Sequence, residues 1–222
     1  MLRFLPSSSE AELRSAIVEC GKICYDRRLL TSNDGNISVR LGNSQVLITP
    51  TGVSKGRLVL EDAMVINLSG NIEQSKAGYQ PSSETPMHLE VYKQRPNVRA
   101  VIHAHPVFAT ALTVAGLEFP DDILPEGTLL LGEVPISAYV TPSSDEDAEA
   151  IHPLIGSHDA ILLRQHGTLT VGRDLEEALI LLERLEHVAE VFWRAKMLGH
   201  VDHIPRESLD NLHAVRRKHL QQ

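Results

Sequence analysis

Aromatic side chains are scarce in these 222 residues, at 4%, with a single tryptophan. A surface that stacks successive bases of single-stranded nucleic acid needs more of them. Positive charge is also in deficit. Lys and Arg number 21 against 29 Asp and Glu, a formal net charge of −8, which argues against a general phosphate-backbone binder. A small anion at a locally positive site stays compatible with that balance. No run approaches the ~18 consecutive apolar residues of a membrane span. The opening MLRFLPSSSEAEL turns polar too early for a secretory signal, so neither a span nor a leader is expected. Cysteine is limited to Cys20 and Cys24, which read as small core residues of a helix rather than a metal or redox pair. A reducing, cytoplasmic setting follows as the expectation.

What is present suits a globular chain. Hydrophobic residues at 42% and charged residues at 23% can build a sizeable core, and no repeat or low-complexity tract divides the chain. One domain over residues 1–222 is expected. Glu10 to Arg28 reads as a helix capped by Ser9, with Leu13, Ile17, Cys20 and Cys24 at helical spacing. Short alternating segments, Ile37–Leu41, Val46–Thr49 and Met64–Leu68, suggest a meander of strands. A second helix should begin near Ser83-Glu84-Thr85-Pro86, with Ser83 as its cap and Pro96 as its stop. Beyond it, Val98–His105 reads as a strand, Val107–Ala115 as a helix, and Leu129–Tyr139 contains another strand. Asp145–Ile155 is helical, Ala160–Leu163 and Leu169–Val171 are strands, and Leu175–Leu198 is the longest helix, with one apolar stripe along its length. This irregular interleaving predicts an α/β sandwich in three layers, helices around a central mixed, mostly antiparallel sheet.

The sharpest local signal is Ile102-His103-Ala104-His105-Pro106. Residues i and i+2 of a strand share a face, so His103 and His105 can project side by side and share one cation at ~2.0–2.1 Å each. His166 stands in Leu162-Leu163-Arg164-Gln165-His166-Gly167, at a strand end before a glycine that lets the backbone approach closely. Each of these histidines alone has an ordinary structural reading. Together, three neutral nitrogens with an open position make the ligand set of a catalytic rather than a structural zinc. His88 follows Glu84 by one helical turn and can reach the same site. The other seven of the eleven histidines are scattered, with solvent-facing or packing roles expected.

Pro81-Ser82-Ser83-Glu84 sets two hydroxyls and a carboxylate at a helix start, where free N–H groups and the positive helix end attract anions. Thr49-Pro50-Thr51-Gly52 and Gly35-Asn36 are further turns of small residues, a pattern that also arises wherever chains turn. Glu84 reads as a general base, as a metal ligand that leaves when substrate arrives, or as a plain helix-dipole residue.

These stretches, in this order, resemble the class II aldolase/adducin family, most closely its fuculose-phosphate aldolase branch. The matching segments are Asp34-Gly35-Asn36-Ile37-Ser38, Thr49-Pro50-Thr51-Gly52, Pro81-Ser82-Ser83-Glu84, Val101-Ile102-His103-Ala104-His105 and Gln165-His166-Gly167. The resemblance implies one Zn²⁺ per subunit on His103, His105 and His166, with Glu84 completing the shell and then serving as acid/base. It implies that Gly35, Asn36, Thr51, Gly52, Ser82 and Ser83 cradle the phosphate of a small phosphorylated sugar. It also implies a homotetramer with sites between subunits and cleavage to dihydroxyacetone phosphate and an aldehyde, through a metal-stabilised enediolate. That branch uses a tyrosine as acid towards the aldehyde. Here Asp122-Ile123-Leu124-Pro125-Glu126-Gly127 has none, leaving Glu126 or a different aldehyde half, with Tyr139 unplaced. Three alternatives stay open: a pentulose-5-phosphate 4-epimerase, a phospho-keto-acid decarboxylase, and a non-enzymatic adducin-like module. The epimerase branch carries aspartate where this chain has Glu84, and the module lacks the metal histidines.

Overall fold

A computed structural model describes residues 2–142 and 146–219. Ser9 caps α1 (Glu10–Asp26) reciprocally: its Oγ accepts from the Glu12 amide at 3.4 Å, and its own amide donates to the Glu12 carboxylate at 2.7 Å. Four short strands follow, β1 (Asn36–Leu41), β2 (Gln45–Ile48), β3 (Met64–Asn67) and β4 (Ile72–Gln74). β4 escapes the alternation pattern because all its residues are exposed. The chain continues as α2 (Thr85–Gln94), β5 (Ala100–Ala104), α3 (Val107–Val114), α4 (Pro125–Leu130), α5 (Glu146–Ile155), β6 (Ala160–Leu163), β7 (Gly167–Gly172), α6 (Leu175–Met197) and α7 (Arg206–His219). The expected start of α5 at Asp145 and the side chain of His219 lie outside the described residues.

The strands form one sheet in the order β4-β3-β2-β1-β5-β7-β6, antiparallel at every ladder. Among the described residues its parallel component is a single bridge between Ile136 and Leu162. That bridge is all that becomes of the strand expected within Leu129–Tyr139. Pro135 has no N–H to offer a ladder, and only its carbonyl and the Ser137 amide bond to Leu162, at 2.9 and 2.8 Å. Leu131 and Val134 instead join the apolar cluster that α6 lines with Leu181, Leu185, Val188 and Phe192. No expected helix covers α7, which is held to α4 by Arg216 donating to the Leu131 carbonyl at 2.9 Å.

Alternation sorts the strand residues into the two faces of a three-layer sandwich. Ile37, Val39, Leu47, Ala100, Ile102 and Ala104 meet α1 and the first half of α6. Val46, Ile48, Val101, Leu169 and Val171 meet Met87, Val91 and Tyr92 of α2 and Ile151 and Ile155 of α5. Cys20 and Cys24 are free thiols buried in the first of these cores, as their helical spacing predicts. The same parity that turns Ile102 towards α1 turns His103 towards α2. No helix among the described residues is long and apolar enough to cross a membrane.

Ile102→Ala tests this division of faces. Ile102 is fully buried, so truncation should cost ~2–5 kcal/mol, seen as a lower denaturant midpoint at unchanged slope. Metal uptake by the folded variant should match that of the unaltered protein, because the truncation is on the opposite face. Impaired uptake would contradict the assignment.

Candidate metal centre and anion pocket

The site forms at the end of the sheet where β1, β5 and the β6–β7 turn meet the start of α2. Asn36 pairs with His103 across the β1–β5 ladder, and His103 pairs with Leu169 across β5–β7. His105 leaves the strand, but its amide donates to the Leu29 carbonyl at 3.1 Å, which fixes its root. The chain then enters α3, whose Phe108 and Ala109 amides donate to the Glu186 carboxylate of α6 at 3.0 and 2.9 Å. This cap comes from 78 residues downstream. No local pattern announces it.

His166 rides on the β6–β7 turn. Gln165 takes the left-handed conformation, with φ of 55°, and its amide donates to Thr113 Oγ1 at 2.9 Å. Gly167 then passes so close to β5 that an added Cβ would lie 2.3 Å from the Ala104 carbonyl oxygen and 2.8 Å from the His105 ring. Only glycine fits there.

Glu84, His103, His105 and His166 converge, their donor atoms all within 4.8 Å of one another. Nε2 of His105 lies 2.9 Å from Nε2 of His103, and one Glu84 oxygen stands 3.3 Å from His103 Nε2 and 3.0 Å from His166 Nε2. Donors about 2.0–2.1 Å from a shared tetrahedral cation sit about 3.3 Å apart, so this set fits a divalent metal ion. Nδ1 of His103 donates to the Thr168 carbonyl at 2.9 Å, which points its Nε2 inward. Burial first, then the neighbouring charges of His103 and His166, lowers the His105 pKa to about 3 and keeps that ring a neutral donor. Burial alone would raise the Glu84 pKa. The charge of His103 and the hydrogen bonds of His103, His166 and Asn36 outweigh it and hold Glu84 well below the carboxylate range.

Glu84 stands at the N-cap position of α2 but caps nothing, since its carboxylate is drawn to the imidazoles. The expected cap, Ser83, is exposed and plays no such part. Ser82 does the local work, its Oγ accepting from the Glu84 amide at 3.3 Å. The second Glu84 oxygen accepts from Asn36 Nδ2 at 2.6 Å, and Ser82 Oγ accepts from the same nitrogen at 3.0 Å. That fixes the amide: its oxygen faces His88 Nε2, which must donate. His88 Nδ1 therefore accepts from Ser38 Oγ at 2.7 Å, and Ser38 in turn accepts from Tyr92 at 2.8 Å. His88, expected near the site, is here the middle of a buried relay running from Tyr92 to Glu84. Ser38 and Tyr92 were not foreseen, although each sits at a same-face spacing, i+2 from Asn36 and i+4 from His88.

A pocket of about 220 Å³ opens beside the cluster, walled by Gly35, Asn36, Thr51, Ser82, Ser83 and Glu84 together with Lys55, His105 and His166. Of the expected cradle, only Gly52 lies outside this wall, exposed on the turn after Thr51. Glu126 and Tyr139 are exposed and do not reach the pocket of their own chain. Among the scattered histidines, His152 pairs with Glu90 at 2.6 Å and His203 with Asp122 at 2.8 Å, none of them part of this wall. A larger hollow of about 530 Å³ lies by the start of α6, but Arg3 and Arg173 there are already paired with Glu176 and Glu177.

The family described as the class II aldolase and adducin N-terminal domain matches residues 15–193. An L-fuculose phosphate aldolase of Methanococcus maripaludis is 36% identical over 178 residues, 79% of this chain and 94% of the relative. A 3-oxo-tetronate 4-phosphate decarboxylase of Haemophilus influenzae is 33% identical over 184 residues, 81% and 86% of the two chains. The crystal structure of L-fuculose-1-phosphate aldolase from Thermus thermophilus superposes with a TM-score of 0.76 at 34% identity, covering 85% of this chain and 96% of that one.

The relay carries a pH signature. Burial, reinforced by the charge of His103 and opposed by Glu84, lowers the His88 pKa from 6.5 to about 3. Between those values the unfolded chain takes up a proton that folded His88 refuses. Its contribution to stability is thus complete above pH 6.5 and fades as pH falls towards 3. Replacing His88 with Gln should flatten the slope of unfolding free energy between pH 4 and 6 by about 1.4 kcal/mol per pH unit. An unchanged slope in denaturant titrations would show that His88 is already protonated in the fold.

Proposed function

The chain belongs to the class II aldolase and adducin family, and on that premise we propose that it is a zinc-dependent aldolase. Its substrate is a phosphorylated ketose, fuculose-1-phosphate-like or a 5-deoxypentulose 1-phosphate, and its products are dihydroxyacetone phosphate and an aldehyde. The observation that carries this reading is Glu84, which shares one oxygen between two imidazoles while Asn36 holds the other. A carboxylate so placed can complete a metal shell, and it can also turn towards a substrate carbon on release.

His103, His105 and His166 would hold the ion, three neutral nitrogens suiting zinc. When bound, a divalent cation supplies a Lewis acid for the negative charge that develops on the ketose oxygens as the carbon–carbon bond breaks. Glu84 moves the proton at the carbon left electron-rich by that cleavage. Asn36, oriented through His88, Ser38 and Tyr92, keeps the carboxylate aimed. Gly35, Asn36, Thr51, Ser82 and Ser83, which wall the pocket, receive the phosphate, and this remote grip holds the reacting carbon in register with Glu84. In the same proposal the chain is one domain working in the cytoplasm as a homotetramer, where a neighbouring subunit brings the acid for the aldehyde oxygen.

The decarboxylase relative supports a second reading. Loss of CO₂ from a phosphorylated 3-keto acid leaves the same electron-rich carbon beside a carbonyl, so the ligands and Glu84 serve either reaction. A phosphate cradle is common to both.

His103→Ala should abolish stoichiometric zinc uptake and lyase activity together, and zinc retained at full occupancy would contradict the ligand set. Glu84→Gln should keep a folded, metal-loaded protein but slow deuterium exchange at the carbon of dihydroxyacetone phosphate by roughly 10²–10⁴-fold. Exchange at the unaltered rate, followed by proton NMR, would remove Glu84 from the proton transfer. Assaying ketose cleavage and keto-acid decarboxylation side by side decides between the two reactions.

A further inference from the structure

Lys55 is the one lysine or arginine among the described residues of the pocket wall, and the chemistry above leaves it unused. It is 2% exposed. Its Nζ donates to the Asn33 carbonyl at 2.7 Å. No carboxylate among the described residues pairs with it; Glu84 and Asp34 act on it only through space. An ammonium has three N–H donors, so two remain for something else. A buried cation without a counter-ion is costly unless it serves a partner that arrives later. Burial lowers its pKa only to about 8, so the group is still charged near neutral pH.

The site is built to hold this charge still. Lys55 opens a 3-10 turn (Lys55–Arg57) laid against α1. The approach is so close that a Cβ on Gly21 would stand 2.4 Å from the Lys55 carbonyl oxygen. The root of the side chain is therefore fixed by the core, unlike that of a surface lysine, and its tip shares a wall with Thr51, Ser82, Ser83 and the Gly35-Asn36 turn.

We propose that Lys55 is the cationic anchor for the phosphate monoester of the substrate, its two free N–H groups adding full charge to a cradle otherwise made of hydroxyls and amides. The proposal deepens the sugar-phosphate reading and rests on it. It assigns Lys55 to ground-state binding and to the choice of a phosphate dianion over a neutral or singly charged group. Acid catalysis at the aldehyde oxygen is the competing role for a pocket lysine.

The test uses metal-loaded protein and calorimetric binding of dihydroxyacetone phosphate, inorganic phosphate, glycolate and unphosphorylated dihydroxyacetone. In Lys55→Gln the two phosphates should bind roughly ten- to hundredfold more weakly, the loss of a charge-assisted contact. Dihydroxyacetone and glycolate should be unaffected, and Lys55→Arg should restore most of the phosphate affinity. Phosphate binding unchanged in Lys55→Gln, equal losses for dihydroxyacetone, or a fall in kcat alone would each overturn the assignment. If the unaltered protein binds neither phosphate, it is the sugar-phosphate reading that falls. Should the variants not fold, the unaltered protein still decides: dihydroxyacetone phosphate, and not dihydroxyacetone, should slow reductive methylation of Lys55, read by mass spectrometry. Equal rates would refute the contact.

Discussion

Three imidazole nitrogens and a carboxylate oxygen crowd to about 3 Å here from three separate stretches of chain, and without a proton or a cation between them their lone pairs would repel. Positive charge at their centre relieves that repulsion, and a divalent cation relieves it for all four donors together. Much of the surrounding architecture can be understood as holding these donors at that distance. Thr168 turns one ring, the Leu29 carbonyl pins the backbone of the second, and a left-handed Gln165 with a side-chain-free Gly167 lets the third come close. Asn36 restrains the carboxylate through a buried relay that ends on a tyrosine in the core.

The charge pattern follows from the same logic. To take an anion as proposed, a protein with a net charge of −8 would have to confine its positive field to the site. A cation held by the Glu84, His103, His105 and His166 cluster would be one source and the start of α2 another. Lys55 would be the third, its charge kept from outside solvent by the packing of its own turn on α1.

Legibility in the sequence tracked how local each signal was. The His103–His105 pair, the Ser9 cap and the stripe of α6 are fixed by near neighbours and could be read directly. So could the three-layer sandwich, which follows from the alternation of strand and helix periods. The segment around Pro135 misled because its apolar residues suit a strand, while a missing N–H and the pull of α6 decide otherwise. Ser83 looked like a cap because helix starts favour serine, but the carboxylate beside it answers to the imidazoles rather than to the helix. The Glu186 cap and the burial of Lys55 depend on elements far apart in sequence, and no spacing rule reaches them.

His103 belongs to a strand with a period of two, flanked by Ile102 and Ala104 that face the α1 core. A shift of β5 by a single position would drive that imidazole into oil and bring an aliphatic group to the ion. Each neighbouring strand carries part of the same centre or its relay, Asn36 and Ser38 on β1 and the Gly167 hinge of β7. Metal capture would thus double as a proofreading step for strand alignment: only the correctly threaded sheet can close on the ion.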